Sequence, residues 1–235
     1  MKIKKITVII SSFLIISLVM ILVYKGVLWP NKIFAQKYPI PGIDVSNHQK
    51  DIDWEAVAKS ENIKFAFIKA TEGMEFKDKY FKSNWDAATK TNLYVGAYHY
   101  FKITSSGKEQ AENFINMVPQ VRGVLPPVID LEENGLEKDK FNRELQDYID
   151  MVEQHYGQRP ILYVVYPIYN QYIKGEFEEY QIWIRDIVKP PRLSDNRDWA
   201  FWQYSDRGKI SGISTFVDLN VFKGSSNDLK SLLSQ

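Results

Sequence analysis

The longest apolar stretch of the chain lies at its N-terminus. Residues Ile6 to Tyr24 contain no charged side chain, and three lysines precede them. A run of this length can cross the hydrocarbon core of a bilayer as a helix, and basic residues before it favour an N-terminus on the inner side. We therefore predict a cytoplasmic stub and transmembrane anchor over residues 1–25, with the membrane as a partner of this helix. A cleaved signal peptide, with Phe34-Ala35 as a distant cleavage point, is the alternative.

Beyond residue 38 the apolar positions follow two periods. Lys138 to Tyr156 shows the clearest helical period, and Gly157 fits the end of that helix. Shorter helices are predicted over residues 53–60, 80–90 and 107–117. Short apolar runs predict eight strands, over residues 42–45, 65–70, 94–101, 127–131, 161–165, 181–184, 200–204 and 216–221.

Strands that alternate with helices predict an α/β fold with a mostly parallel sheet. About eight strands in roughly two hundred residues favour an irregular TIM-like (β/α) barrel with reduced helices in its second half, preceded by one transmembrane helix. An open doubly wound sheet is the rival, although no glycine-rich phosphate loop follows a strand. We assign residues 26–38 to a stalk and residues 39–235 to a catalytic barrel domain.

Composition narrows the chemistry. The formal net charge of +1 argues against a nucleic-acid partner. The chain has no cysteine, which excludes disulfides, thiolate metal sites and a cysteine nucleophile. Its three histidines are scattered without the spacing of metal ligands. We expect no metal and no cofactor.

Four carboxylates fall on predicted strands. Asp44 ends the first strand, Asp130 and Glu132 close the fourth, and Asp218 lies in the last. Residues two apart on a strand share a face, and the first and last strands of a closed barrel are neighbours, so we expect all four acids in one cavity. Crowded acids raise the pKa of at least one member, as a general acid requires. Paired acids on such a scaffold are typical of glycoside hydrolysis. Helix capping or binding of a divalent cation is the alternative.

The chain resembles glycoside hydrolase family 25, the Chalaropsis-type lysozymes (N-acetylmuramidases). Six segments carry the resemblance, in the order of the family: GIDVS at 42–46, FIKATEG at 67–73, VGAYH at 95–99, VIDLE at 128–132, WQY at 202–204 and VDLN at 217–220. The resemblance implies an irregular β/α barrel with five α/β units and further strands. It also implies hydrolysis of the β-1,4 bond between N-acetylmuramic acid and N-acetylglucosamine in peptidoglycan glycan strands.

The resemblance also implies roles for the acids. Glu132 corresponds to the proton donor to the leaving oxygen. Asp130 corresponds to the acid that orients the 2-acetamido group of the substrate or stabilises positive charge. Asp44 and Asp218 correspond to supporting acids. Retaining, inverting and acetamide-assisted routes all remain open at this point, and we favour the assisted route.

The resemblance places Tyr98, Trp202 and Gln203 on the wall of the sugar groove. The stretch WIRD at 183–186 departs from the family, which usually has a small residue there. This departure leaves the substrate contacts of that wall open.

Two other functions are alternatives to a muramidase that remodels or lyses the cell wall. A chitinase-like N-acetylglucosaminidase also carries acids on the fourth strand, but its longer D-x-x-D-x-D-x-E pattern is absent, because Pro126, Pro127 and Val128 precede the acids here. A non-catalytic peptidoglycan-binding module would not need the acids. We expect the catalytic domain to lie outside the cytoplasm, membrane-anchored or, if the N-terminal segment is cleaved, secreted.

Overall fold

The computed structural model describes residues 2–26, 28–60 and 63–234. Within them a single sheet contains the strands β1 (Ile40–Val45), β2 (Phe65–Glu72), β3 (Phe76–Lys77), β4 (Tyr94–Tyr100), β5 (Val128–Leu131), β6 (Ile161–Val164), β7 (Ile182–Arg185), β8 (Phe201–Gly208) and β9 (Val217–Phe222).

Eight of these strands close into a barrel. Around the barrel the order is β1, β9, β8, β7, β6, β5, β4 and β2, and β1 pairs with β2 to complete the circle. Neighbouring strands run parallel from β1 through β8, whereas β9 is antiparallel to both β1 and β8. The short β3 forms a hairpin with the end of β2. The predicted closed barrel of eight strands is confirmed, and the open-sheet rival is wrong.

Helices cover the first half of the barrel more fully than the second. The described helices are α1 (Lys2–Tyr24), α2 (Pro30–Ala35), α3 (Trp54–Lys59), α4 (Phe81–Ala88), α5 (Gly107–Ile115), α6 (Lys138–Tyr156), α7 (Tyr166–Ile168), which continues as a π-helical turn (Tyr169–Ile173), and α8 (Ser226–Ser231). The predicted reduction of the later helices is therefore confirmed.

Local sequence explains the bounds of α6, the longest barrel helix. The side chain of Glu137 accepts hydrogen bonds from the backbone N–H groups of Asp139 and Lys140, which caps the N-terminus. Gly157 adopts a left-handed conformation with φ 66°, which ends the helix. Apolar residues of one face, from Phe141 to Val152, are buried against the barrel.

The barrel interior has an apolar floor and a polar mouth. Alternate residues of each strand point inward, and those of the lower part form one buried apolar cluster, with Phe65, Phe67, Trp183 and Phe201 as its largest members. A Cβ atom on Gly96 would lie 2.4 Å from the Phe67 ring, so this inward position has room for glycine alone. The apolar floor leaves the carboxyl ends of the parallel strands as the place where polar side chains meet.

The N-terminal helix α1 stands apart from this core. Among its residues from Ile10 onward, most apolar side chains are exposed, and none belongs to the apolar clusters of the barrel. No helix within the described residues is both long enough and apolar enough to cross a membrane. The structure therefore does not support the predicted transmembrane anchor.

Part of the segment that follows α1 packs on the barrel. The indole N–H of Trp29 donates to the carbonyl of Tyr204 at 2.7 Å. The buried amide of Asn31, in α2, donates to the carbonyl of Asp186 at 2.9 Å. Two residues of the segment assigned to a stalk thus contact the backbone of β8 and of the residue that follows β7.

Candidate active site

A cavity of about 410 Å³ opens where the parallel strands end. We call it the acid cleft. All four predicted acids line it, together with Ser46, His48, Lys69, Tyr98, Tyr100, Val128, Tyr163, Trp183, Arg185, Gln203 and Asp206. Five carboxylates thus face two permanent cations. In the part of the chain that the structure describes, no cluster of three or more acids and histidines is arranged to hold a metal ion.

A larger cavity, of about 730 Å³, lies between α2 and the outer face of β1, β8 and β9. Its lining includes the cations Lys25, Lys32, Arg207 and Lys209 but no carboxylate. Size therefore does not identify the reactive site in this protein, because the chemistry that the sequence predicts is confined to the smaller acid cleft.

Asp44 and Asp218 lie side by side on β1 and β9, as the sequence predicted. They are direct partners in the antiparallel register of these strands, and both line the acid cleft. The closure of the barrel thus brings these two carboxyl groups together.

Two buried amides hold Asp44 in place. Its Oδ2 atom accepts from Nε2 of Gln203 at 3.0 Å and from Nδ2 of Asn220 at 2.7 Å. The hydroxyl of Tyr163 donates to Oε1 of Gln203 at 2.8 Å, and the indole of Trp183 donates to Oδ1 of Asn220 at 3.0 Å. Each amide oxygen thus has its own donor, which fixes both NH₂ groups toward Asp44.

Burial raises the pKa of both members of this pair. For Asp44, burial outweighs the amide hydrogen bonds, which lower the pKa. For Asp218, burial and then the charge of Asp44 raise the pKa to about 9. Asp218 therefore keeps its proton across the neutral range.

Asp130 and Glu132 lie across the acid cleft, at the end of β5. Asp130 is in the strand, and Glu132 is the first residue after the strand, exposed at the mouth. The Oδ1 atom of Asp130 is buried and accepts no hydrogen bond from the described residues. Burial, then the charges of Glu132 and Asp44, raise the pKa of Asp130 well above its usual value, while Lys69 opposes the shift.

An ion-pair network supports the loop that carries Glu132. The ammonium group of Lys102 pairs with Glu133, whose other carboxylate oxygen accepts from the backbone N–H of Ile103 at 3.1 Å. Lys69 pairs with Glu72 at 2.7 Å. The neighbouring residue of Glu132 is thereby tied to the loop after β4, which restricts where Glu132 can move.

Comparison with known proteins identifies the family. Residues 43–213 match the family model described as glycosyl hydrolases family 25. The chain belongs to this family. It resembles the structure of a family 25 glycosyl hydrolase from Bacillus anthracis, with 46% identity and a TM-score of 0.79, over 83% of this chain and 94% of that chain. It is 32% identical over 209 residues to Lysozyme M1 of Streptomyces globisporus, covering 82% of this chain and 71% of that protein.

A third relative extends the match among bacteria. Over 213 residues the chain is 39% identical to the uncharacterized protein YegX of Escherichia coli K12, covering 87% of this chain and 78% of that protein. Family membership makes this protein a glycoside hydrolase, and the acid cleft is its candidate active site.

One predicted wall residue of this family 25 enzyme lies elsewhere. Tyr98 and Gln203 line the acid cleft, but Trp202 is fully buried on the outer face of the sheet and donates from its indole to the carbonyl of Asp186 at 2.8 Å. Successive residues of a strand point to opposite faces, so Gln203 and its neighbour Trp202 cannot both face the acid cleft. The assignment of Trp202 to the wall is wrong.

Sequence reasoning also missed several residues that line the acid cleft. Trp183 and Arg185 face it from β7, two residues apart, and the alternation along this strand was the signal that could have found them. Tyr163 was hidden in a continuously apolar strand, in which neither face stands out. Asp206 faces the acid cleft in a part of β8 where the pairing with β9 is irregular. No sequence pattern predicted these irregularities.

Proposed function

We propose that this family 25 glycoside hydrolase is a muramidase that cleaves the β-1,4 bond between N-acetylmuramic acid and N-acetylglucosamine in peptidoglycan. The observation that carries the proposal is the contrast within the acid cleft. Glu132 is exposed at the mouth, where a leaving oxygen can reach it, and beside it Asp130 presents a buried oxygen that binds nothing among the residues that the structure describes.

In the proposed first step, the carboxyl group of Glu132 donates its proton to the glycosidic oxygen as the C1–O bond breaks. The acetamide oxygen of the muramic acid attacks C1 and forms a cyclic oxazolinium intermediate. Asp130 accepts the acetamide N–H, which orients the group and offsets its developing positive charge. The free Oδ1 atom of Asp130 supports this role, because a bound acetamide would supply the missing donor.

In the second step, the carboxylate of Glu132 accepts a proton from water as the water oxygen bonds to C1 and the acetamide oxygen leaves. The enzyme returns to its starting state, and the product keeps the configuration of the substrate. The Asp44–Asp218 pair does not transfer a proton in this scheme. Its hydrogen bonds hold the far side of the acid cleft in shape against the sugar.

Two alternatives find less support. A chitinase-like enzyme would act without muramic acid, and a non-catalytic binding module would have no need for Asp130 and Glu132 together. We further propose that the barrel works outside the cytoplasm, because its proposed substrate lies there. The uncharged run after three lysines is typical of exported proteins. Protease accessibility of the barrel in intact spheroplasts tests this location.

Product analysis tests the reaction itself. Digestion of purified cell walls should release muropeptides with reducing N-acetylmuramic acid ends, which mass spectrometry identifies after borohydride reduction. Reducing N-acetylglucosamine ends would contradict the proposal. NMR of the first-formed product tests the route, because the inverted anomer would rule out acetamide assistance.

Substitution of the acid completes the test. We expect Glu132→Gln to lower the rate about 10²- to 10⁴-fold, since the amide cannot donate a proton to the leaving oxygen. Glu75→Gln, an exposed glutamate on the β2–β3 hairpin, is the matched control and should keep the wild-type rate. Equal clearing of walls by Glu132→Gln and the wild type would contradict the assignment.

A further inference from the structure

Arg185 contributes one of the two permanent cations in the lining of the acid cleft. It is half-buried at the end of β7, where it pairs in register with Gln203 of β8. Its charge is close enough to lower the pKa of Asp218 and of Tyr163. Strand β7 is separated by one strand from β9 and by one strand from β5, so Arg185 stands between the Asp44–Asp218 pair and Asp130 around the barrel.

This guanidinium has no partner in the described part of the protein, either as an ion pair within 4.0 Å or as a side-chain hydrogen bond. Four other arginines have partners: Arg159 pairs with Glu153, Arg192 binds Asn196, Arg197 binds backbone carbonyls and Arg207 pairs with Asp206. The other two, Arg122 and Arg143, are exposed to solvent. Guanidinium presents five donors in a planar fork that matches a carboxylate. The guanidinium group of Arg185 is half-buried in a substrate cleft and has no acceptor among the described residues. We therefore expect the substrate to supply the acceptor.

The chemistry of the proposed substrate offers one such group close to the reacting bond. N-acetylmuramic acid differs from N-acetylglucosamine only by the 3-O-lactyl group, which ends in a carboxylate when no stem peptide is attached. If Asp130 holds the acetamide on C2, the lactyl group projects from the next ring carbon. Strand β7 lies two strands from β5, or about 10 Å, a gap that a sugar substituent and a long arginine side chain together can span.

We propose that Arg185 is a specificity-determining residue that binds the lactyl carboxylate of N-acetylmuramic acid. This inference rests on the proposed function and deepens it. A charge-assisted, two-pronged contact forms with the free carboxylate, whereas the amide that replaces this carboxylate in peptide-bearing strands offers a single neutral carbonyl. The enzyme should therefore prefer strands from which the stem peptides have been removed.

Binding to a catalytically silenced protein tests the contact without relying on turnover. In the full-length Glu132→Gln background, calorimetry compares N-acetylmuramyl-N-acetylglucosamine with N,N′-diacetylchitobiose, which lacks the lactyl group. We expect the muramyl disaccharide to bind about tenfold more tightly. Arg185→Ala should abolish this preference, and Arg185→Lys, which keeps the charge but not the fork, should retain part of it.

The binding comparison includes a matched control variant and an outcome that would contradict the role of Arg185. Arg159→Ala removes an exposed arginine whose ion pair lies outside the acid cleft, and it should leave the preference unchanged. Thermal melting verifies that each variant is folded. Equal weakening of both disaccharides by Arg185→Ala, or no weakening of either, would overturn the proposal and leave Arg185 with a general electrostatic role.

Cleavage rates provide an independent measurement. Wild-type protein should cut amidase-treated, peptide-free glycan strands faster than intact peptide-bearing strands, and Arg185→Ala should lose about tenfold on the former with little change on the latter. A uniform loss on both substrates overturns the inference. Failure of the wild type to cut either substrate refutes the proposed function instead, and the binding comparison still decides what Arg185 recognises.

Discussion

The two halves of the acid cleft use the same residue type in opposite ways. On the β1–β9 side, Asp44 accepts two amide hydrogen bonds and lies beside Asp218. On the β5 side, Asp130 keeps a buried oxygen that has no partner in the described part of the chain, and Glu132 is exposed. The first half is complete without a ligand, whereas the second is not.

This difference indicates which acids position and which react. A buried carboxylate with all its partners in place stabilises a single geometry. A buried oxygen left without a partner costs free energy, and natural proteins tolerate such groups mainly where a ligand supplies the missing contact. Substitutions on the two halves should therefore separate activity from stability.

Among the substitutions that test this comparison, Asp130→Asn should have the largest effect, and that effect is on activity. We expect the rate to fall on the order of 10²-fold, because the amide cannot ionise to the carboxylate that would offset the charge of the oxazolinium intermediate. Thermal stability should stay level or rise, because the variant removes a buried carboxyl group of raised pKa. Turbidity assays and thermal melts measure both quantities, with the exposed Asp51→Asn as control. A large loss of stability would contradict the proposed division between acids that position and acids that react.

The next effect is on stability, from Asp44→Ala. The buried amides of Gln203 and Asn220 would both lose their acceptor, at a cost of about 1–3 kcal/mol for each unsatisfied group. Urea unfolding should show the combined loss, and Asp44→Asn, which retains one acceptor oxygen, should lose less. A change in the free energy of unfolding below about 1 kcal/mol for Asp44→Ala would mean that the network is not a structural unit.

The smallest effect is a change in the pH dependence of stability, from Asp218→Asn. The pKa of Asp218 is about 9 in the folded protein, above the ordinary value of 3.8. The unfolded chain therefore releases this proton first, and stability is lost as the pH rises from about 4 toward 9. Wild-type protein should melt at a higher temperature at pH 5 than at pH 8, and the variant should narrow that gap. An unchanged gap would assign the pH dependence to other groups.

Much of the barrel was predictable from periodicity. Apolar runs located the eight barrel strands, and the bounds of α6 follow from its apolar face, Glu137 and Gly157. The meeting of Asp44 with Asp218 followed from the closure of the barrel alone. These features depend on local patterns or on topology, both of which a single sequence carries.

The remaining features depend on register and direction. A shift of one residue decides whether Trp202 or Gln203 faces the acid cleft. Both faces of the strand segment FWQY carry a large apolar side chain, so the pattern does not show which face points inward. Alternation places Trp183 and Arg185 on one face of β7. Which face of β7 points inward becomes clear only once the neighbouring strands are in place. The reversal of β9 has no signature in its own residues, because alternation reads the same in either direction.

That reversal has a consequence for engineering the enzyme. In the parallel strands the acid cleft borders the loop that follows each strand, but Asp218 stands near the beginning of β9. The loop before β9 is therefore the one at the rim, where the carbonyl of Phe216 accepts from the side chain of Gln49 at 2.8 Å. After Phe222 the chain turns to the opposite mouth, where Leu229 packs on the apolar floor. Libraries that aim to change substrate choice belong in residues 209–216, while residues beyond 222 suit fusions that must leave catalysis untouched.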